Sequence, residues 1–276
     1  MAGSDGVLVV LDGSAQDVAT LDWAVEEADA LGSGLAVARL RSDSPAPDRA
    51  PARLTADGRR SQAAVPDVAA GRAAEQAARM PVTIWDVFGT TPLPVLLLLA
   101  QRSSRVVLGE SRTGRRHQSM AGQIASRASQ PVVVVRGRTG AAGPVVAHVA
   151  GSGPDEFALR DAFEYARRRR APLRVLHTYR TAYVDPSGHV PPYFGREDAT
   201  EVLERAVTPW ARAHPGVLVE SVALPGSAAG RLLEVSAGAG LLVVGACDGS
   251  RLPAAIRDPT TRVLAHRAQC PVVITR

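Results

Sequence analysis

Short uninterrupted apolar runs recur along the chain, at 6–11, 106–109, 131–135, 144–149, 241–245 and 270–274, bounded by glycine, proline or polar residues. Runs of this length without alternation suit strands buried on both faces of a parallel sheet. Between them the period changes to three and four. Val18, Leu21, Val25, Ala28 and Leu31 lie at helical spacing, so 15–31 reads as an amphipathic helix with those residues inward and Gly32 as its stop. Leu159, Phe163 and Ala166 give the same reading for a helix over 155–170. Strands are further expected over 35–40, 82–88, 173–177 and 217–224, and helices over 67–79, 94–101 and 198–213. The stretch 41–66, rich in Pro, Ala, Ser, Asp and Arg without a period, reads as a mobile loop.

The order of elements occurs twice. Leu21-Asp22-Trp23-Ala24-Val25-Glu26 lies over Leu159-Arg160-Asp161-Ala162-Phe163-Glu164, and the turn Phe88-Gly89-Thr90 matches Pro225-Gly226-Ser227. A repeat of about 138 residues is a duplicated domain, not a solenoid period. The expected domains are 1–138 and 144–276, joined by a linker at 139–143. Alternating strands and helices predict the α/β class, with a doubly wound parallel sheet and right-handed crossovers in each half. The crevice of such a sheet lies beyond the carboxyl ends of its first and fourth strands, where Asp12 should meet Gly109 and Ala150 should meet Gly245.

Composition narrows the chemistry. All 32 basic residues are arginine, which rules out a Walker A lysine and any Schiff-base or pyridoxal phosphate chemistry. The net charge of +5 and the run Arg167–Arg170 admit a nucleic-acid contact, but no basic-aromatic interleaving or recognition motif supports one. That run ends a predicted helix, where cations complement the dipole. The longest apolar run, 95–100, is far below the roughly 20 residues of a membrane span. Residues 1–4 carry no basic segment and 7–11 is too short for a signal core, so a cytoplasmic location is expected. Cys247 and Cys270 fall at opposite ends of neighbouring strands, roughly 15 Å apart at about 3.3 Å per residue, too far for a disulfide. The six histidines show no metal-ligand spacing, and Trp23, Trp85 and Trp210 read as core residues.

Val10-Leu11-Asp12-Gly13-Ser14, the turns at Gly89 and Gly226, the two strand-loop-helix-strand units and the ending Cys270-Pro271-Val272-Val273-Ile274 together resemble the universal stress protein family in its tandem form, over essentially the whole chain. The resemblance implies two Rossmann-like domains of the adenine-nucleotide alpha hydrolase-like kind. ATP-binding members are similar in having an Asp after strand one and a G-x2-G-x9-G-[S/T] loop after strand four, where glycines admit phosphate to backbone N–H groups. In the first half Asp12 and Gly13 stand after strand one, Gly109 fills the first glycine position and Gly122 the third. Arg112 replaces the second glycine and Gln123 the Ser/Thr, while Gly114 offers a substitute glycine beside Arg115 and Arg116. From Gly122 to Pro131 the chain is about one helical turn shorter than from Asp258 to Pro271. In the second half Ala150 replaces the Asp, and Asp248, Asp258 and Pro259 replace the later loop positions. Two carboxylates repel phosphate and proline removes a donor, so no nucleotide is expected there.

The resemblance thus implies a non-enzymatic stress-response protein with a degenerate ATP site confined to the first domain. Two other readings stand beside it. One is a structural protein-interaction module that binds no nucleotide, and the other a slow ATPase using Asp12 or Glu110. The expected partner is internal, domain on domain through the final strands 132–135 and 272–274, since an open apolar edge strand invites association. Homodimers are admitted as well; the protein partner is not specified by any motif, and neither a membrane nor nucleic acid is expected.

Overall fold

The first strand, Val7–Leu11 (β1), has every side chain buried, as an unalternating run requires when both faces of a sheet are covered. The computed structural model describes residues 6–41, 71, 75, 79–88, 92–110, 120–137, 139–140, 142–151, 155–179, 195–246 and 259–276. They form two compact units, 1–135 and 136–276. The expected loop at 41–66 and most of the expected helix at 67–79 lie outside the described residues.

In the first unit β1 is followed by α1 (Asp17–Leu31), β2 (Leu35–Arg41), β3 (Val82–Phe88), α2 (Leu93–Gln101), β4 (Arg105–Gly109), α3 (Met120–Arg127) and β5 (Val132–Val135). The strands are all parallel, in the order β3-β2-β1-β4-β5. The second unit runs β6 (Val145–His148), α4 (Asp155–Arg169), β7 (Leu173–Tyr179), α5 (Arg196–Ala213), β8 (Val219–Pro225), α6 (Ala228–Ser236), β9 (Leu241–Gly245), α7 (Pro259–Arg267) and β10 (Val272–Thr275). Its order is β10-β9-β6-β7-β8, again parallel. Both units are therefore doubly wound α/β sheets with the first strand central. No helix among the described residues is long and apolar enough to cross a membrane.

The duplication extends to the pairing register. Val7 stands opposite Leu35 and Arg105; Val145 stands opposite Leu173 and Leu241. One step differs. The register from β4 to β5 (Val106 to Val132) is four residues shorter than from β9 to β10 (Leu242 to Val272). Both helices on this connection, α3 and α7, end four residues before a proline, at Arg127 and Arg267. Most of the difference therefore falls between β4 and the start of α3, and one residue of it in the helix, 8 residues in α3 against 9 in α7.

The buried face of α1 differs from the expected one. Leu21 and Ala28 are buried, but Val18 and Val25 are half-buried and Leu31 is 47% exposed. The inward stripe is instead Asp17, Thr20, Leu21, Ala24, Glu27 and Ala28, with Trp23 beside it. A reading that counts only large apolar side chains misplaces this face because three of its members are polar. Thr20 donates its hydroxyl to the Gln16 carbonyl, and Glu27 receives the Arg105 guanidinium at 2.6 Å. In α4 the expected residues Leu159, Phe163 and Ala166 are all buried.

Of the three tryptophans only Trp23 is a core residue; Trp85 and Trp210 are half-buried. Trp210 lies nearly parallel to His214, with Phe163 stacked beside both. Cys270 is a free, buried thiol, pushed up to about 12 by burial, which makes it unreactive near neutral pH. Cys247 lies outside the described residues.

Candidate functional site

The carboxyl ends of β1 and β4 lie side by side, since Val10 stands opposite Leu108. Asp12 is the first residue beyond β1, and Gly109 is the last residue of β4. Asp12 is exposed, and its Oδ1 accepts a hydrogen bond from the Ser14 N–H at 3.1 Å, closing an Asx turn. Gly13 has φ of +83°, a conformation that favours glycine.

Asp17 holds this turn, a role the sequence reading missed. It is buried in the first turn of α1, and its two oxygens accept the N–H groups of Asp12 at 3.2 Å and Gly13 at 2.9 Å. Burial raises its pKa above the ordinary value of 3.8, opposed by those N–H bonds and reinforced by the nearby Asp12 charge. The second unit repeats the device. Asp155 accepts from Ala150 N–H at 2.9 Å and Gly151 N–H at 2.7 Å, and Gly151 has φ of +82°. The signal lay in the repeat itself, because Asp17 and Asp155 precede the aligned helix segments by the same number of residues.

Because the folded-state pKa of Asp17 is raised, the group favours folding most below pH 3.8, and this contribution is lost as pH rises through the raised value. Asp17→Asn removes the titration and one of the two acceptor oxygens. Wild type should therefore gain stability relative to Asp17→Asn as the pH falls from neutrality towards 3.8, in urea unfolding curves at successive pH values. A gap that stays constant or moves the other way would show that Asp17 is not held charged at a cost.

Gly109 faces α1 at close range. A Cβ there would lie 2.7 Å from Thr20 Oγ1 and 3.4 Å from Gln16 Cβ, so the absence of a side chain lets the end of β4 approach the start of α1. Glu110, half-buried, continues the strand by donating its N–H to the Val135 carbonyl.

The element bounds show where two of the later positions lie. Gly122 and Gln123 are not in the loop but are the third and fourth residues of α3, with Gly122 buried. Counting back from the shared proline instead, Gln118 and Ser119 correspond to Asp258 and Pro259. Ser119 thus immediately precedes the first residue of α3, and counting forward from Gly109 hides it because the connection is four residues short. Arg112 and Gly114 lie outside the described residues, as do Gln118 and Ser119.

In the second unit Ala150 is exposed in the place of Asp12. His177 Nδ1 lies 2.6 Å from the Val149 carbonyl, and His148 Nε2 lies 3.4 Å from Thr178 Oγ1. The helix after β9 begins at Pro259, which has no N–H to offer.

Comparison with known proteins bears on the family and the fold. A universal stress protein of Mycobacterium tuberculosis is 26% identical over 196 residues, 68% of this chain and 66% of that protein. Another from the same organism is 29% identical over 197 residues, 67% of this chain and 62% of its own length. The matched region thus spans just under two thirds of these curated relatives. A solved universal stress protein from Archaeoglobus fulgidus shares the fold with a TM-score of 0.64 at 13% identity, covering 99% of this chain and 97% of that one. The model of the universal stress protein family matches residues 4–136 and again 143–276, and the chain is a member of that family carrying its domain twice.

Proposed function

We propose that the protein is a non-enzymatic stress-response protein whose first unit keeps a reduced ATP crevice and whose second unit has lost it. One observation supports this most: two equivalent turns, each held by a buried aspartate and a positive-φ glycine, differ in presenting the exposed carboxylate of Asp12 or the methyl of Ala150. Asp12 would accept hydrogen bonds from the nucleoside, with Gly13 leaving room beside it and Gly109 holding the end of β4 close to α1. Arg112, Gly114 and Ser119 would supply the phosphate end, together with the amino end of α3. Gly122 and Gln123, inside α3, would support that helix rather than line the cradle. The domains are assigned as 1–138 and 144–276 with the linker 139–143.

We further assign internal pairing to the final strands. Each is an edge within its own unit, β5 beside β4 only and β10 beside β9 only, and four consecutive apolar or β-branched residues make each a ready partner. The non-enzymatic reading fits a site in which Asp17 is committed to two backbone donors and Asp12 to the Asx turn.

Calorimetric titration of the full chain with ATP should give saturable binding at one site per chain. Ala150→Asp alone should add no second site, because Asp258 and Pro259 still oppose phosphate. A second site in that variant would overturn the account of the second unit. A flat trace with wild type would favour the interaction-module reading, and phosphate release that depends on Asp12 would favour an ATPase.

A further inference from the structure

The two units also diverge at the opposite pole, where the first helix turns into the second strand. In both, the turn is built alike: Ser33 donates to the Ala28 carbonyl and Ala171 to the Ala166 carbonyl, closing the end of α1 and of α4. The residue in the left-handed conformation is Gly32 in the first unit, φ 57°, and Arg170 in the second, φ 50°. Arg170 is the one non-glycine residue with positive φ among the described residues. A bulky side chain is kept here against the backbone's preference, and such an outlier points to a use for the side chain.

That use is visible in the surroundings. Arg170 lines a groove of about 520 Å³ with Arg167, His214, Ala171, Pro172 and Leu218. The volume falls in the range of small-molecule sites, roughly 300–1,000 Å³. Its floor is apolar, and Leu218 stands 76% exposed at its edge. Its charge is basic. Arg167 is held by Glu164 through two hydrogen bonds at 3.0 and 2.7 Å, whereas the Arg170 side chain has no such partner among the described residues. In the first unit Asp29 and Gly32 stand where Arg167 and Arg170 stand here, so these two positive charges are particular to the second unit.

We propose that this groove binds a small organic anion with a flat apolar body, its charged end on the Arg170 guanidinium and its body against Pro172 and Leu218. Arginine suits the charged end because its planar fork matches oxyanions with two parallel hydrogen bonds. An exposed leucine beside an exposed arginine supplies the two halves of such a ligand's recognition. The second unit would then have exchanged a nucleotide crevice at the carboxyl end of its sheet for an anion groove at the amino end.

The full chain can be titrated with 8-anilinonaphthalene-1-sulfonate, an aromatic anion that brightens on binding, and with N-phenyl-1-naphthylamine, its uncharged counterpart. The sulfonate should bind saturably and more tightly than the neutral probe. Arg170→Gly should weaken sulfonate affinity by about tenfold, the loss of one charge-assisted contact, and leave the neutral probe unchanged. Folding should survive, because glycine is the residue that makes the same turn in the first unit. Leu218→Ser should weaken both probes. Unchanged sulfonate affinity in Arg170→Gly, equal affinity for the two probes in wild type, or indifference of both probes to Leu218→Ser would each overturn the assignment.

Discussion

Replacing Glu27 by alanine should destabilise the first unit by about 3–5 kcal/mol, the usual effect of stripping one partner from a buried ion pair. Glu27 is 2% exposed on the inward face of α1, and the Arg105 guanidinium at the start of β4 is 2.6 Å away. Alanine would leave that guanidinium buried beside a helix that no longer offers it a carboxylate. The duplicate shows how the same site is built without an ion pair, with the Arg168 guanidinium 4.6 Å from the ring centre of its aromatic residue. At the equivalent positions the second unit has Tyr165 on α4 and Leu241 on β9, both buried, with Leu241 opposite Val145 as Arg105 is opposite Val7. The double change Glu27→Tyr, Arg105→Leu should therefore recover most of the loss, since well-packed apolar replacements for buried pairs are often neutral or stabilising. Denaturant unfolding of the full chain, followed by tryptophan fluorescence, measures both. A loss below about 1 kcal/mol for Glu27→Ala would show that Arg105 finds water or another acceptor, in the range of an exposed pair.

This pair also marks where sequence reading stops. The strands were legible because β1, β4, β5, β9 and β10 are runs of Val, Leu and Ile, and burial on both faces leaves no alternation to confuse with a helix. The repeat was legible from the aligned helix starts. The inward face of α1 was not, because Glu27 and Thr20 are polar by composition and their burial depends on Arg105 and the Gln16 carbonyl, partners that only the fold brings close. Asp17 was missed for the same reason, its partners being backbone N–H groups without a residue-type signature.

The candidate site divides along similar lines. Asp12 and Gly109 came from topology, which places the ends of the central strands together whatever their side chains. Gly122 and Gln123 came from counting forward through a loop of unknown length, and a four-residue shortening carried the count into α3. Counting back from the proline before β5 is safer, because a helix and a buried strand hold their lengths where a surface loop does not.

Asp12→Ala should weaken ATP binding by about 1.5–3 kcal/mol, or roughly 10- to 150-fold, if its carboxylate accepts hydrogen bonds from the nucleoside as proposed. The exposed Asp12 carboxylate accepts the Ser14 N–H and interacts with the Asp17 carboxyl, and a carboxylate has acceptor sites beyond these. The frame beneath should persist in the variant, since Asp17 still accepts the backbone N–H groups of residues 12 and 13, while the side-chain and charge interactions of Asp12 with Asp17 are removed. Asp12→Asn separates the two jobs of the carboxylate. Its amide oxygen can still close the Asx turn on Ser14, but it brings an NH2 where an acceptor is needed and carries no charge. Binding should therefore fall in the order wild type, Asp12→Asn, Asp12→Ala, with unfolding midpoints that hardly move. ATP affinities and denaturation curves on the same three proteins decide the matter. If Asp12→Asn binds as wild type, the carboxylate acts through the turn rather than on the ligand; if Asp12→Ala does too, the nucleotide is held elsewhere and the crevice between β1 and β4 is not its site.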